Sequence, residues 1–332
     1  MTRLGHLRPD DLITEGAMTT ELTTDPLSRA RGCLLGQLAG DALGSLVEFQ
    51  TPEQIRHAYP DGVRELAAGG TWNTLAGQPT DDSEMALMLA RMLVARGAFD
   101  ATAAHAAYRD WFDSWPFDCG MTVADGLSGT PNATSQANGA LMRISPLGIF
   151  GARYPLVQVA DWARQDAALT HPHPVCREAN ALYAQAIAYA IGTGAAAPAV
   201  YAAILAWARA EDVAPSLLAA TEAAADGPTA SYVHQQGWVL IAWRNALWQL
   251  LQAPTLEAGV VDTVMRGGDT DTNAAIAGAL LGAVHGEEAI PSQWTRCVLD
   301  CRPQEGQPGV HQPRPPVFWP VDALEVAAAL LG

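Results

Sequence analysis

The sequence predicts an all-α protein built as one compact domain. Eight segments, residues 28–49, 83–97, 101–113, 154–168, 175–192, 199–210, 236–252 and 272–285, repeat apolar residues at three-to-four spacing and are rich in alanine, the strongest helix former. Sustained two-residue alternation, the mark of a half-buried strand, is not found along the chain. The connecting loops, at 66–80, 126–139, 225–230 and 301–316, are rich in Gly, Pro, Asn, Ser and Thr, yet none has the length or low complexity of an interdomain linker. No repeat of solenoid period is present. The organisation expected is therefore a flexible extension over residues 1–27, with Met18 as an alternative start, followed by a helical domain over 28–332.

Taken in order, the first segment carries an unusual stripe. Gly32, Gly36, Gly40 and Gly44 fall every fourth residue, and Gly278, Gly282 and Gly286 do the same on the last segment. Each glycine inside a helix costs about 0.5–1 kcal/mol relative to alanine. A whole stripe needs compensation, and very close helix–helix packing supplies it. One further turn along the first stripe reaches Glu48, so a carboxylate is expected on the close-packed face near that helix's end, with Asp41 pointing the same way.

The second segment opens with Thr80, Asp81 and Asp82, ahead of a helix whose Met85, Leu89 and Met92 face inward. The last opens with Asp269 and Asp271, ahead of an almost wholly apolar run. Capping is the plain explanation. Thr80 or Asp81 would cap one helix, with Glu84 closing a capping box, and Asp269 or Thr270 would cap the other. Capping needs one side chain per helix and contributes about 1 kcal/mol. It does not call for two carboxylates at each start. Carboxylates that converge repel one another unless a cation intervenes, and oxygen donors from Asp, Glu and Thr suit a hard divalent ion. An EF-hand is excluded, because its sixth position would be Ala274 and its twelfth Leu280.

The remaining segments read mainly as structure. Trp238, Trp243 and Trp248 are helically spaced and are expected in the core rather than as a base-stacking platform. The apolar stretch 181–209 is broken by glycines and Pro198, and 274–284 is too short for a membrane span. The N-terminus has no apolar run of signal-peptide length. Net charge is −16, and all 19 basic residues are arginine. Lysine chemistry, a Walker A loop and non-specific binding to nucleic acid or anionic lipid are thereby excluded. Five scattered cysteines without a CxxC fit a reduced, cytoplasmic protein better than a disulfide framework or a zinc site.

Five motifs, "GCLLGQLAGDALGSLVEF", "PTDDSEMAL", "NGALMRISPLG", "LTHPHP" and "RGGDTDTNAAIAGALLGA", occur in the order found in ADP-ribosylglycohydrolases. From about Ser28 to Gly286 the chain resembles that family, and in particular the group that includes the dinitrogenase-reductase-activating glycohydrolases. The resemblance implies a compact helical fold and a cleft holding two divalent cations, Mg²⁺ or Mn²⁺. It implies hydrolysis of the glycosidic bond between ADP-ribose and a protein side chain or small molecule, with ADP-ribose as product. Arginine is the expected acceptor, with serine, a nucleobase or a free small molecule as alternatives, and a monomer is the default state. By the same resemblance Thr80, Asp81, Asp82, Asp269, Asp271 and Thr272 match metal ligands, and Glu48 and Asp118 match acidic residues beside the metals and the scissile bond. Ser135, Asn138 and Gly139, in "TSQANG", match a loop that wraps the diphosphate, and His171 a histidine near the adenosine.

Each of these positions also has a plainer reading. Asp118 can close an Asx-turn, Asn138-Gly139 is a turn dipeptide, and His171 can cap the next helix. Arg143 can pair with a core carboxylate. His173 and Ser83 stand where relatives often carry Asp and Thr. Two other functions compete. A dinuclear phosphohydrolase would normally place histidines beside the carboxylates, and none of the eight histidines adjoins the acidic motifs. A non-catalytic ADP-ribose-binding protein would be marked by a lost ligand, and none is lost.

Overall fold

The chain folds around one pair of helices that touch through glycine. A computed structural model describes residues 25–332; the expected extension, apart from residues 25–27, lies outside them. The described residues form fifteen α-helices, two short 3₁₀ turns and no strand, only two isolated bridges. The first five helices are α1 (Pro26–Gly44), α2 (Pro52–Ala58), α3 (Asp81–Arg96), α4 (Ala101–Phe112) and α5 (Met121–Leu127). The middle of the chain forms α6 (Ser145–Gly151), α7 (Leu156–Ala168), α8 (Pro174–Thr193), α9 (Ala197–Ala210) and α10 (Pro215–Ala223). The last five are α11 (Val239–Gln252), α12 (Leu256–Val264), α13 (Thr270–His285), α14 (Ser292–Asp300) and α15 (Ala323–Leu331).

Helices α1 and α13 run antiparallel in a register set by their small residues. Gly32 faces Gly282 and Gly286, Gly36 faces Gly278, Gly40 faces Ala274, and Gly44 faces Thr270 and Asp271. A Cβ on Gly32 would lie 2.5 Å from the Gly286 carbonyl carbon, and one on Gly36 would run into the Gly278 carbonyl oxygen. The two backbones are thus in direct contact, and no side chain fits between them. Around this pair, α8, α11 and α12 cover α13, while α3, α6 and α15 pack against α1. Leu34, Leu38, Ile276 and Leu280 are among the fully buried residues of the core.

All eight segments read from the sequence are helical, with shifted ends. The first helix stops at Gly44, where the Ser45 N–H bonds the Asp41 carbonyl, so Glu48 lies in the turn beyond it rather than on its last turn. That turn is held against the loop before α13. The Phe49 N–H donates to the Gly268 carbonyl at 2.8 Å, and the Gly268 N–H to the Gln50 carbonyl at 3.0 Å. Helix α11 begins at Val239, which leaves Trp238 outside it and 37% exposed, whereas Trp243 is fully buried. Trp238 is therefore not a core residue. Seven helices, α2, α5, α6, α10, α12, α14 and α15, were not expected. Each has seven to nine residues, too few turns to display a period and too short to form without tertiary support.

Alanine in place of a helical glycine ordinarily stabilises. Gly36→Ala is expected to do the reverse, lowering the unfolding free energy by about 1–3 kcal/mol through overpacking, as read from denaturant melts. A neutral or stabilising result would mean that the two helices part without cost.

Candidate active site

The register of α1 against α13 brings the ends of three segments to one place. Glu48 follows α1, Asp81 and Asp82 open α3, and Asp269 and Asp271 open α13. Caps are not what these residues are. Thr80 and Asp269 occupy the N-cap positions, but neither makes a side-chain capping bond. Glu84 forms no capping box. It is buried in a bidentate pair with Arg314, and Trp111 Nε1 donates to its Oε2 at 2.8 Å. The acidic side chains at both helix starts are free to face a cleft.

That cleft has a volume of about 460 Å³. Glu48, Asp81, Asp82, Asp118, Asp269 and Asp271 line it, joined by Thr272, Asn138, Gly139 and His171. Glu48, Asp269 and Asp271 each offer a carboxylate oxygen within 4.8 Å of the others. Asp82 Oδ2 accepts from Thr80 Oγ1 at 3.2 Å and Thr272 Oγ1 at 3.3 Å, while its Oδ1 is buried with no partner among the described residues. Asp269 Oδ2 accepts from Asn138 Nδ2 at 2.7 Å, and Glu48 Oε2 from Trp72 Nε1 at 2.6 Å. Asp81 Oδ2 accepts the Gly120 N–H at 3.3 Å, which ties the Asp118 loop to α3. Asp41, buried behind the wall, accepts from the Thr80 N–H and the Ser83 N–H, and the Thr80 hydroxyl shares its one proton between Asp41 at 2.9 Å and Asp82 at 3.2 Å.

Burial, then mutual repulsion, sets the charge state. Burial followed by the field of Asp269 pushes Glu48 up to about 8, and burial raises Asp81 to about 7. Burial and then the charges of Asp81, Glu48 and Asp269 carry Asp118 to about 10. Asp82 and Asp271 are raised well above the usual carboxylate range for the same reasons. Among the described residues no arginine lines the cleft, and the histidine that does, His171, is neutral. An all-oxygen donor set with an orphaned buried carboxylate oxygen fits a hard divalent cation.

Ten of the twelve residues singled out in the sequence reach the cleft wall. Thr80 and Ser135 do not. Thr80 is fully buried behind Asp82, and the Ser135 hydroxyl turns to Thr122 Oγ1 at 2.8 Å. His171 is no helix cap. That place belongs to His173, whose Nδ1 accepts from the Val175 N–H. Arg143 does pair with a core carboxylate, Asp166. The sequence did not mark Trp72, Phe49 or Met121, all in the wall, because they sit in loops or at a helix start where no period singles them out. A second, shallower cavity of about 560 Å³ shares Ala137, Gln236 and Gly237 with the first and includes Trp238, whose Nε1 donates to Gln136 Oε1.

The raised carboxylates make a signed prediction for metal-chelated protein. Unfolded Asp and Glu release their protons near pH 4, whereas folded Asp81 and Glu48 hold theirs to about 7 and about 8. The folded state binds more protons across that window, so stability should fall as pH rises from 5 to 8. Thermal melts in chelator test this. Asp82→Asn should flatten the profile and stabilise the chelated protein at pH 8, and an unchanged slope would refute a shared carboxylate field.

Comparison with known proteins identifies a family. The profile of the ADP-ribosylglycohydrolase family matches residues 22–310. An ADP-ribosyl-[dinitrogen reductase] glycohydrolase of Rhodospirillum rubrum is 32% identical over 277 residues, covering 80% of this chain and 88% of that one. An ADP-ribosylarginine hydrolase of Pseudomonas putida is 28% identical over 296 residues, 82% of this chain and 74% of its own. A solved ADP-ribosylglycohydrolase-related protein complex superposes with a TM-score of 0.75 at 27% identity, over 92% of this chain and 98% of that one. The fold, the acidic cleft and these likenesses agree, and the chain belongs to the ADP-ribosylglycohydrolase family.

Proposed function

We propose that this ADP-ribosyl hydrolase cleaves the N-glycosidic bond between ADP-ribose and an arginine guanidinium of a modified protein, in the cytoplasm, with two divalent cations, Mg²⁺ or Mn²⁺, in the cleft. The observation that carries the reading is the convergence of Glu48, Asp269 and Asp271 beside the orphaned Asp82 oxygen. Asp81, Asp82, Asp269, Asp271 and Thr272 would hold the ions, with Thr80 orienting Asp82 from behind the wall. When bound, such ions fix ribose hydroxyls and acidify a water.

The protein's own groups do the rest. Departure of the leaving group at ribose C1″ builds oxocarbenium-like charge, which the surrounding carboxylates stabilise. A guanidine leaves as a strong base and needs a proton. Asp118, in the cleft wall on the loop that the Gly120 N–H ties to Asp81, is assigned as its donor. Glu48, oriented by Trp72, is assigned to steer the attacking water. Asn138 orients Asp269, and with Gly139 and His171 it forms the wall for the diphosphate-ribose. The exposed Trp238 and Gln136 of the adjoining cavity would receive the adenine.

A protein acceptor is favoured over a free small molecule by the cleft rim. Phe49 and Met121 line the cleft, and Trp115 stands on the loop that delivers Asp118; all three are more than one-third exposed. Phe49 and Trp115 also adopt left-handed backbone, at φ 66° and 57°, an arrangement side chains seldom take without cause. Exposed apolar surface gathered at a cleft entrance is suited to a polypeptide.

The decisive experiment is ADP-ribose release from an ADP-ribosyl-arginine peptide, with Mg²⁺ or Mn²⁺ and then with chelator. Metal-dependent release lost by at least 100-fold in Asp269→Ala is expected (~3 kcal/mol of transition-state stabilisation). Binding of ADP-ribose without release would defeat the arginine assignment. Trp115→Ala should lower kcat/KM on a modified protein while leaving free ADP-ribosyl-arginine unaffected, and equal loss on both would remove the rim from substrate recognition.

A further inference from the structure

His171 is fully buried, lines the cleft, and has one ring nitrogen, Nε2, with no partner among the described residues. Its other nitrogen, Nδ1, lies 2.8 Å from Thr170 Oγ1. The direction of that bond follows from what stands behind the threonine. Arg143 Nη1 donates to Thr170 Oγ1 at 2.9 Å, and a guanidinium has donors only. The Thr170 hydroxyl is itself buried and has no other acceptor among the described residues. If Nδ1 carried the proton, the hydroxyl would accept twice and its own proton would be stranded, at a cost of about 1–3 kcal/mol. The pairing that satisfies every atom has Arg143 donating to Thr170 and Thr170 donating to Nδ1. Nε2 then carries the proton, on a ring that lines the cleft beside Gly139.

Arg143 cannot turn away from this duty. Its Nε donates to Asp166 Oδ1 at 3.2 Å and its Nη2 to the Asp166 carbonyl at 3.2 Å, while Tyr108 donates to Asp166 Oδ2 at 2.8 Å. Both partners of the ion pair are wholly buried, the guanidinium lying 4.3 Å over the Tyr108 ring. Gly139 presses on the far end: a Cβ there would come within 3.2 Å of the imidazole Cε1. Burial, and then Arg143, push the His171 pKa down to about 3, so the ring stays neutral. A buried ion pair gives little stability for what it costs to desolvate, but one that ends on an unpartnered cleft nitrogen sets a proton's position.

We infer that Arg143 and Thr170 are positioning residues that lock His171 in the Nε2–H tautomer, so that the ring is a permanent neutral donor to an acceptor atom of ADP-ribose. The inference rests on the function proposed above. It makes His171 a group that neither gives up nor gains a proton during turnover.

The test uses Mg²⁺-loaded protein labelled with ¹⁵N-histidine, with the His171 resonances identified by their loss in His171→Asn. Wild type should show a bare Nδ1 and a protonated Nε2. Thr170→Val should lose that pattern and bind ADP-ribose about tenfold more weakly by calorimetry, and Thr170→Ser should restore both, a rescue that a space-filling role would not require. A protonated Nδ1 in wild type overturns the inference, and that spectrum decides even if Thr170→Val does not fold. So does a Thr170→Val protein that keeps the wild-type tautomer and affinity. Either result leaves the proposed function standing. Wild type that binds no ADP-ribose would instead fell the function and this inference together.

Discussion

Direct backbone contact between α1 and α13 is the constraint on which the rest of the structure depends. Two helices normally lie 8–10 Å apart because side chains separate them. Here the facing positions are glycine or alanine for three turns, until Gly44 meets Thr270 and Asp271, and carbonyls of one helix occupy the space where side chains of the other would be. Such a contact has no freedom to slide, because a shift of one residue would set larger side chains such as Cys33 or Leu281 against backbone. The end of α1 is therefore fixed against the start of α13. Gly44 meets Asp271, the Thr270 hydroxyl donates to the Gly44 carbonyl at 2.7 Å, and Glu48 is delivered to Asp269 and Asp271. The glycines that weaken each helix alone are what give the cleft its geometry.

The same geometry explains why the cleft tolerates its charge. The carboxylates at the starts of α3 and α13 lie where each helix presents unpaired N–H groups and a partial positive charge. These dipoles offset part of the repulsion, but the carboxyls remain raised, and one oxygen of Asp82 stays unpartnered. Among the described residues, no arginine enters the cleft. A guanidinium placed among these groups would satisfy them permanently and leave nothing to bind an ion.

How much of this was legible in the sequence follows from which interactions are local. The helices of twelve or more residues show their period, and the glycine stripes show which faces meet, because both patterns repeat along the chain. The paired acidic groups were legible because capping does not require them. Glu48 was placed one turn too far along a helix, since the residues that stop α1 are held by the distant loop at Gly267-Gly268. Trp238 was assigned to the core by its spacing from Trp243, and the bridge between Ala137 and Trp238 that pulls it out is a tertiary contact. The Ser135 hydroxyl turns to Thr122 and away from the cleft, and side-chain direction in a loop has no sequence period. The Arg314–Glu84 pair joins residues 230 apart, and no spacing rule reaches that far.

The placement of that pair completes the argument about charge. Arg314 grips Glu84 on the first turns of α3 and also donates to the Ser114 carbonyl and hydroxyl, so the C-terminal segment clamps the loop bearing Asp118 onto the helix bearing Asp81 and Asp82. Arg143 does the equivalent on the other wall, through Asp166 and Thr170 to His171. In each case a buried guanidinium is neutralised by a carboxylate of its own, one layer behind the cleft. Breaking either pair would leave an uncompensated buried charge, a loss of several kcal/mol, so both walls are held rigidly. The positive charge that shapes the site is spent on holding it, and the negative charge that faces the cleft is left for ions and substrate to meet.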